Sequence, residues 1–183
     1  MSRITHIRRG AAALAFGLAL TTGPIQGSVA QAATPTGRVC IFSAPGEASG
    51  AGHVAWAFQT APDRWTWGSY TDETASALSK SNWAWGGPKG VLHYFQVHDT
   101  YKAYRCKNTH QRLAVAATNQ WKHLRRSEYD VLDNNCLTTT LKIFRAYSRE
   151  LKRLPEPSGM YKLPRVYFDR MLPHFGFLTR GSL

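Results

Sequence analysis

The chain has 183 residues, which is enough for one domain with a hydrophobic core and too few for two comfortable ones. With 43% hydrophobic, 19% charged and 12% aromatic residues, the composition is that of a globular protein and excludes a disordered chain. The formal net charge of +12 favours anionic partners, but no nucleic-acid-binding motif accompanies it, so nucleic acid is not an expected partner.

The N-terminus has the order of a secretory signal peptide. Three arginines precede an apolar run over residues 11–20, and Ala30-Gln31-Ala32 offers small residues to a signal peptidase. The run is about half of the ~20 residues that a membrane span needs. We therefore predict a signal peptide over 1–32 and a secreted, monomeric domain over 33–183 with no transmembrane segment. The arginine pair at 8–9 leaves a twin-arginine export route open beside ordinary secretion.

Cleavage after Ala32 changes the charge only slightly. It leaves 20 basic against 11 acidic residues in the mature domain, a formal charge of +9. Such a charge predicts attraction to an anionic cell-wall or lipid surface, or serves only to keep a secreted protein in solution.

The first half of the mature domain predicts β-structure. A strand is expected over 39–43, followed by a loop rich in Gly, Ala and Ser. Residues 53–59 and 64–70 alternate in hydrophobicity around Ala61-Pro62-Asp63, which predicts a hairpin. A long loop is expected over 71–88, and a further strand over 91–97.

The second half predicts two helices. Residues 110–124 show helical periodicity, and the clearer pattern follows Cys136. Asp133, Asn134 or Asn135 can cap that second helix, and Pro155 lies just past its end. One of its faces carries Leu137, Leu141, Phe144, Tyr147 and Leu151.

The three cysteines differ in their contexts. Cysteines of secreted proteins usually pair, and an odd number leaves one over. Cys40 and Cys106 lie in predicted strand regions and can join neighbouring elements. Cys136 lies at a helix N-terminus, where the helix dipole lowers the pKa of a thiol. We predict a Cys40–Cys106 disulfide and a nucleophilic Cys136; the alternative is a Cys106–Cys136 bond that leaves Cys40 over.

Two segments carry a family resemblance. Gly52-His53-Val54-Ala55-Trp56 with Thr66-Trp67-Gly68-Ser69, and later Tyr129-Asp130-Val131-Leu132-Asp133-Asn134-Asn135-Cys136, resemble the two halves of circularly permuted papain-like proteins. These include the permuted branch of the NlpC/P60 superfamily, the lecithin:retinol acyltransferase-like proteins and the permuted papain-fold deubiquitinating peptidases. The resemblance covers about residues 53–147, without the connection between the halves.

The resemblance implies a permuted papain-like α+β fold, in which an antiparallel sheet packs against the helix that bears the nucleophile. It implies Cys136 as nucleophile and His53 as base. NlpC/P60 enzymes hold this histidine with a third polar residue, whereas the deubiquitinating members use a Cys-His dyad. The candidates for that orienting role are Thr66, Ser69, Gln59 and His93.

The remaining polar residues have narrower roles. Asn134 or Asn135 would supply an oxyanion donor or cap the helix. The histidines and cysteines show neither HExxH nor Cys-x-x-Cys spacing, so we expect no metal and no cofactor.

The predicted function is a secreted cysteine hydrolase that cleaves an amide or ester bond in cell-envelope material. The alternatives are a lipid acyl hydrolase or acyltransferase, and a catalytically inactive secreted binding module.

Overall fold

The computed structural model describes residues 34–71, 78–131 and 133–183. The chain divides into two units, Met1–Ala32 and Ala33–Leu183, and every described element belongs to the second. The predicted signal peptide therefore lies outside the described residues. Within the described ranges, each helix is too short or too polar to cross a membrane.

The described residues form one antiparallel sheet of six strands. The strands are β1 Gly37–Ala44, β2 His53–Ala61, β3 Arg64–Ser69, β4 Leu78–Trp83, β5 Ala103–Thr109 and β6 Arg180–Ser182. Their order across the sheet is β4-β3-β2-β1-β5-β6. The predicted strand over 39–43 and the predicted hairpin are confirmed as β1 and the β2–β3 pair, in which Ala57 faces Trp67.

Two helices cover one face of this sheet. They are α2, Ala114–Leu124, and α3, Cys136–Tyr147, and both were predicted. The even-numbered side chains of β2 point toward them: the Trp56 ring meets Trp121 of α2 edge-on at 5.1 Å. The predicted apolar face of α3 is buried from Leu137 to Tyr147. Burial of large apolar side chains from the sheet and both helices makes this the main core of the domain.

The opposite face of the sheet is covered by α1, Val91–Val97, where a strand was predicted. That prediction was wrong. Val91 and Phe95 lie four residues apart, one helical turn, and both are fully buried. The Phe95 ring stacks on Phe42 of β1 at 3.7 Å. Since a helix this short is not stable alone, this packing overrides the β propensity of the segment.

The prediction of one long loop over 71–88 was also wrong in part. Residues 78–83 form β4, the edge strand that pairs with β3. The middle of β4 is polar and exposed, because only one of its edges pairs and only its ends, Leu78 and Trp83, pack against the core. Such a strand lacks the alternating pattern by which strands are predicted.

The tail returns over the side of the core that α2 and α3 cover. After α3 the chain makes 3-10 turns at Arg149–Arg153 and Gly159–Lys162, then the short helix α4, Pro164–Val166. A π turn, Tyr167–Met171, and a 3-10 turn, Leu172–Phe175, lead to β6. Tyr167, Phe168, Leu172 and Phe177 are buried in the main core.

The predicted disulfide is present. Cys40 and Cys106 are direct cross-strand partners in β1 and β5, with their Cα atoms 4.1 Å apart and a disulfide between their sulfurs. Cys136 takes no part in it, which excludes the alternative Cys106–Cys136 pairing. The fold is α+β with an antiparallel sheet packed against the helix that carries Cys136.

Candidate active site

The predicted nucleophile, Cys136, and the predicted base, His53, line the same cavity. It has a volume of about 490 Å³ and lies at the end of the sheet where β1 and β3 finish and β2 and β5 begin. Side chains from both faces of the sheet and from the start of α3 can meet there. Its walls comprise Glu47, Ala48, Ala51, Gly52, His53, Thr71, Thr100, Tyr101, Tyr129, Val131, Asn135, Cys136, Lys162, Leu163 and Pro164.

Cys136 is the first residue of α3 and is 3% exposed. The helix begins there because Asn135 closes a capping box: its Oδ1 accepts from the amides of Leu137 and Thr138, and the Thr138 hydroxyl accepts from the Asn135 amide. At this position the N-terminal end of the helix dipole favours a negative charge. The local sequence thus places a thiol at the N-terminal end of a capped helix.

The two asparagines before Cys136 build the turn. Asn135 caps α3 and its Nδ2 donates to the Val131 carbonyl at 2.6 Å. The Nδ2 of Asn134 donates to the Glu128 carbonyl at 2.6 Å. Of the two roles considered for these residues, helix capping is therefore the one that Asn135 fills in this structure.

His53 is the first residue of β2, and its imidazole is held by Ser69 at the end of β3. The Nε2 of His53 lies 2.7 Å from the Ser69 Oγ. Ser69 is paired with Ala55, two residues beyond His53, so the two polar side chains are diagonal neighbours on one face of the hairpin. When Nε2–H donates to Ser69, the lone pair of the neutral ring is on Nδ1.

The other candidate orienting residues lie elsewhere. Thr66 is buried and directly opposite Phe58 in the β2–β3 pair. It therefore lies on the face of the sheet that α2 and α3 cover. Gln59 is at the far end of β2, where its carbonyl accepts from the Tyr147 hydroxyl at 2.8 Å. His93 is exposed on α1 and lines a different cavity with Trp83 and Tyr94. Of the four, Ser69 is the one brought to His53.

Gly52, directly before His53, fixes how the loop over 45–52 enters β2. Its φ of +90° lies in a region that L side chains rarely adopt, and a Cβ here would lie 2.8 Å from the Cβ of Arg165. The Arg165 amide donates to the Ala51 carbonyl at 3.2 Å. A side chain at residue 52 would therefore push apart two segments that form walls of the cavity.

Sequence reasoning missed Tyr101, which lies between α1 and β5. Its ring meets His53 edge-on at 6.2 Å, and its hydroxyl donates to the Ser69 Oγ at 3.5 Å. Burial is the main cause that raises the pKa of Tyr101; the bond to Ser69 opposes the rise and the charge of Cys136 adds to it. Tyr101 was overlooked because no sequence motif marks it.

Two charged residues, Glu47 and Lys162, also line this cavity. The Lys162 Nζ is 3.8 Å from a carboxylate oxygen of Asp133. Across the described ranges, no three His, Cys, Asp or Glu side chains are placed to hold a metal ion.

Comparison with known proteins adds no assignment. No protein-family model, no curated protein and no solved structure matches this chain.

Proposed function

We propose that this chain is a secreted cysteine hydrolase of permuted papain-like type, which cleaves an amide or ester bond with Cys136 as nucleophile and His53 as base. One observation carries the proposal. A thiol at the start of a capped helix and an imidazole held by a serine line the same cavity. The Cys40–Cys106 disulfide involves neither of these two side chains.

The chemistry proceeds in two halves. His53 takes the proton of the Cys136 thiol, and the thiolate attacks the substrate carbonyl carbon to form a carbon–sulfur bond. The tetrahedral intermediate then expels the amine or alcohol, which receives the proton from His53. In the second half, His53 takes a proton from water, the hydroxide attacks the thioester, and the carboxylic acid leaves as the Cys136 thiol is restored.

The oxyanion of each tetrahedral intermediate needs hydrogen-bond donors. We assign this role to the Cys136 backbone amide, because it lies at the N-terminal end of α3, where the helix dipole favours negative charge. The Asn135 side chain accepts from the Leu137 and Thr138 amides, so we assign it to holding the first turn of α3 rather than to contacting the substrate.

The predicted leader, the disulfide and the charge support a role outside the cytoplasm. Disulfides persist in oxidising compartments, and the mature domain carries more basic than acidic residues. Peptide bonds of an anionic cell envelope are accordingly the leading substrate class.

The lining of the cavity also favours a second candidate, hydrolysis or transfer of a lipid acyl group. Val131 and Leu163 line the cavity and are 69% and 43% exposed. Together with Ala48, Ala51 and Pro164 they give apolar walls that would accept an acyl chain.

The test compares variants of the mature domain on cell-wall peptides and on acyl esters of increasing chain length, with product release followed by mass spectrometry. We expect Cys136→Ala and His53→Ala each to abolish turnover while thermal stability changes little. The matched control is His93→Ala, which alters an exposed histidine outside the cavity and should keep full activity. Turnover that persists in Cys136→Ala would refute the proposal, and the preferred substrate separates its two versions.

A further inference from the structure

Ser69 alone is a weak support for a catalytic histidine. A serine hydroxyl rotates about its Cα–Cβ and Cβ–Oγ bonds and can donate or accept. It therefore fixes neither the position of the imidazole nor the nitrogen that carries the proton. An imidazole so held needs another group to restrain the serine.

Tyr101 supplies such a group. Its hydroxyl lies 3.5 Å from the Ser69 Oγ, which is itself 2.7 Å from Nε2 of His53, so the three side chains form a chain of contacts whose two ends, His53 and Tyr101, line the cavity. The Tyr101 ring also stands edge-on to the His53 ring and limits its rotation.

Tyr101 is itself well fixed. Its ring packs edge-on against Phe95 at 4.8 Å, and its amide donates to the His98 carbonyl at 3.0 Å. Burial raises the pKa of its phenol, which stays protonated and able to donate at neutral pH. The Tyr101 hydroxyl is therefore a fixed donor that can restrain the rotation of the Ser69 hydroxyl.

We propose that Tyr101 is a positioning residue, which holds Ser69 so that it accepts from Nε2–H of His53 and leaves Nδ1 as the base for Cys136. The catalytic meaning of this role rests on the proposed function. The position of His53 and the reactivity of Cys136 can, however, be measured without a substrate.

The experiment uses four variants of the mature domain: Tyr101→Phe, Ser69→Ala, the double variant, and Tyr104→Phe as control. Tyr104 is a β5 tyrosine that contacts Phe42 and Trp85 and does not line the cavity. The readouts are the second-order rate of Cys136 alkylation by iodoacetamide as a function of pH, and the His53 tautomer from nitrogen-15 NMR.

We expect Tyr101→Phe to slow alkylation near neutral pH about twofold, less than the effect of an ordinary hydrogen bond because the 3.5 Å contact is long, and to reduce the Nε2–H tautomer. Ser69→Ala should do at least as much. The double variant should be no slower than Ser69→Ala, because Tyr101 acts through Ser69. Tyr104→Phe should match the wild type.

Other results would overturn the proposal. Unchanged alkylation and tautomer in Tyr101→Phe would show that the phenol positions nothing, and additive losses in the double variant would show that it does not act through Ser69. A wild-type Cys136 whose alkylation rate depends on pH like that of a simple thiol would instead defeat the proposed function. The two failures are therefore separable.

Discussion

Reduction of the disulfide should destabilise the domain strongly. Cys40 and Cys106 are 66 residues apart in the chain, so their bond removes much of the entropy of the unfolded state. The chain-entropy relation gives an entropy change of about 15 cal/mol/K for such a loop, or about 4 kcal/mol at 25 °C. The typical contribution of a disulfide is about 2–4 kcal/mol. We therefore expect the free energy of unfolding to drop by about 2–4 kcal/mol.

The assay is urea denaturation of the mature domain with and without a reductant, followed by tryptophan fluorescence. The Cys136→Ser variant is the suitable background, because it excludes thiol exchange with the disulfide. The Cys40→Ala/Cys106→Ala variant serves as control and should not respond to the reductant. A loss below about 1 kcal/mol on reduction would refute the reasoning, since it would mean that the bond does not restrain the unfolded chain.

Three further effects are expected. Asn135→Ala should lower the free energy of unfolding by about 1–2 kcal/mol by removing the cap of α3, measured by urea denaturation; an unchanged midpoint would contradict the capping role. Gly52→Ala should cost about 1–3 kcal/mol, because its φ of +90° and the nearby Arg165 both resist a Cβ, and thermal unfolding should show it. Burial raises the pKa of Tyr147 to about 12, so only the unfolded state ionises between about pH 10 and 12 and stability should fall as the pH rises through that window. Tyr147→Phe should flatten this fall, and an equal slope in both proteins would exclude Tyr147 as its source.

The structure and the sequence agree where the signal is local. The hairpin of β2 and β3, the helices α2 and α3 and the position of Cys136 follow from alternation, helical periodicity and capping residues. The disulfide was predicted from the strand contexts of Cys40 and Cys106 and from the position of the third cysteine, Cys136, at a helix start. Each of these signals lies within a few residues of the element that it predicts.

The errors occur where distant residues decide the outcome. Segment 91–97 has β-forming residues but folds as a helix, because Val91 and Phe95 fill a space left by β1 and β3. The choice of Ser69 over Thr66 depends on which face of the sheet each occupies at the pairing of β2 with β3.

The sequence by itself determined the α+β composition, the capped helix that starts at Cys136 and the pair of strand cysteines, since these depend on short-range periodicity and on side-chain chemistry. Only the tertiary structure decided that His53, Ser69 and Tyr101 meet at one end of the sheet, where His53, Tyr101 and Cys136 line one cavity. Strand pairing and the packing of α1 bring these groups together across long stretches of chain. No local pattern encodes those distances.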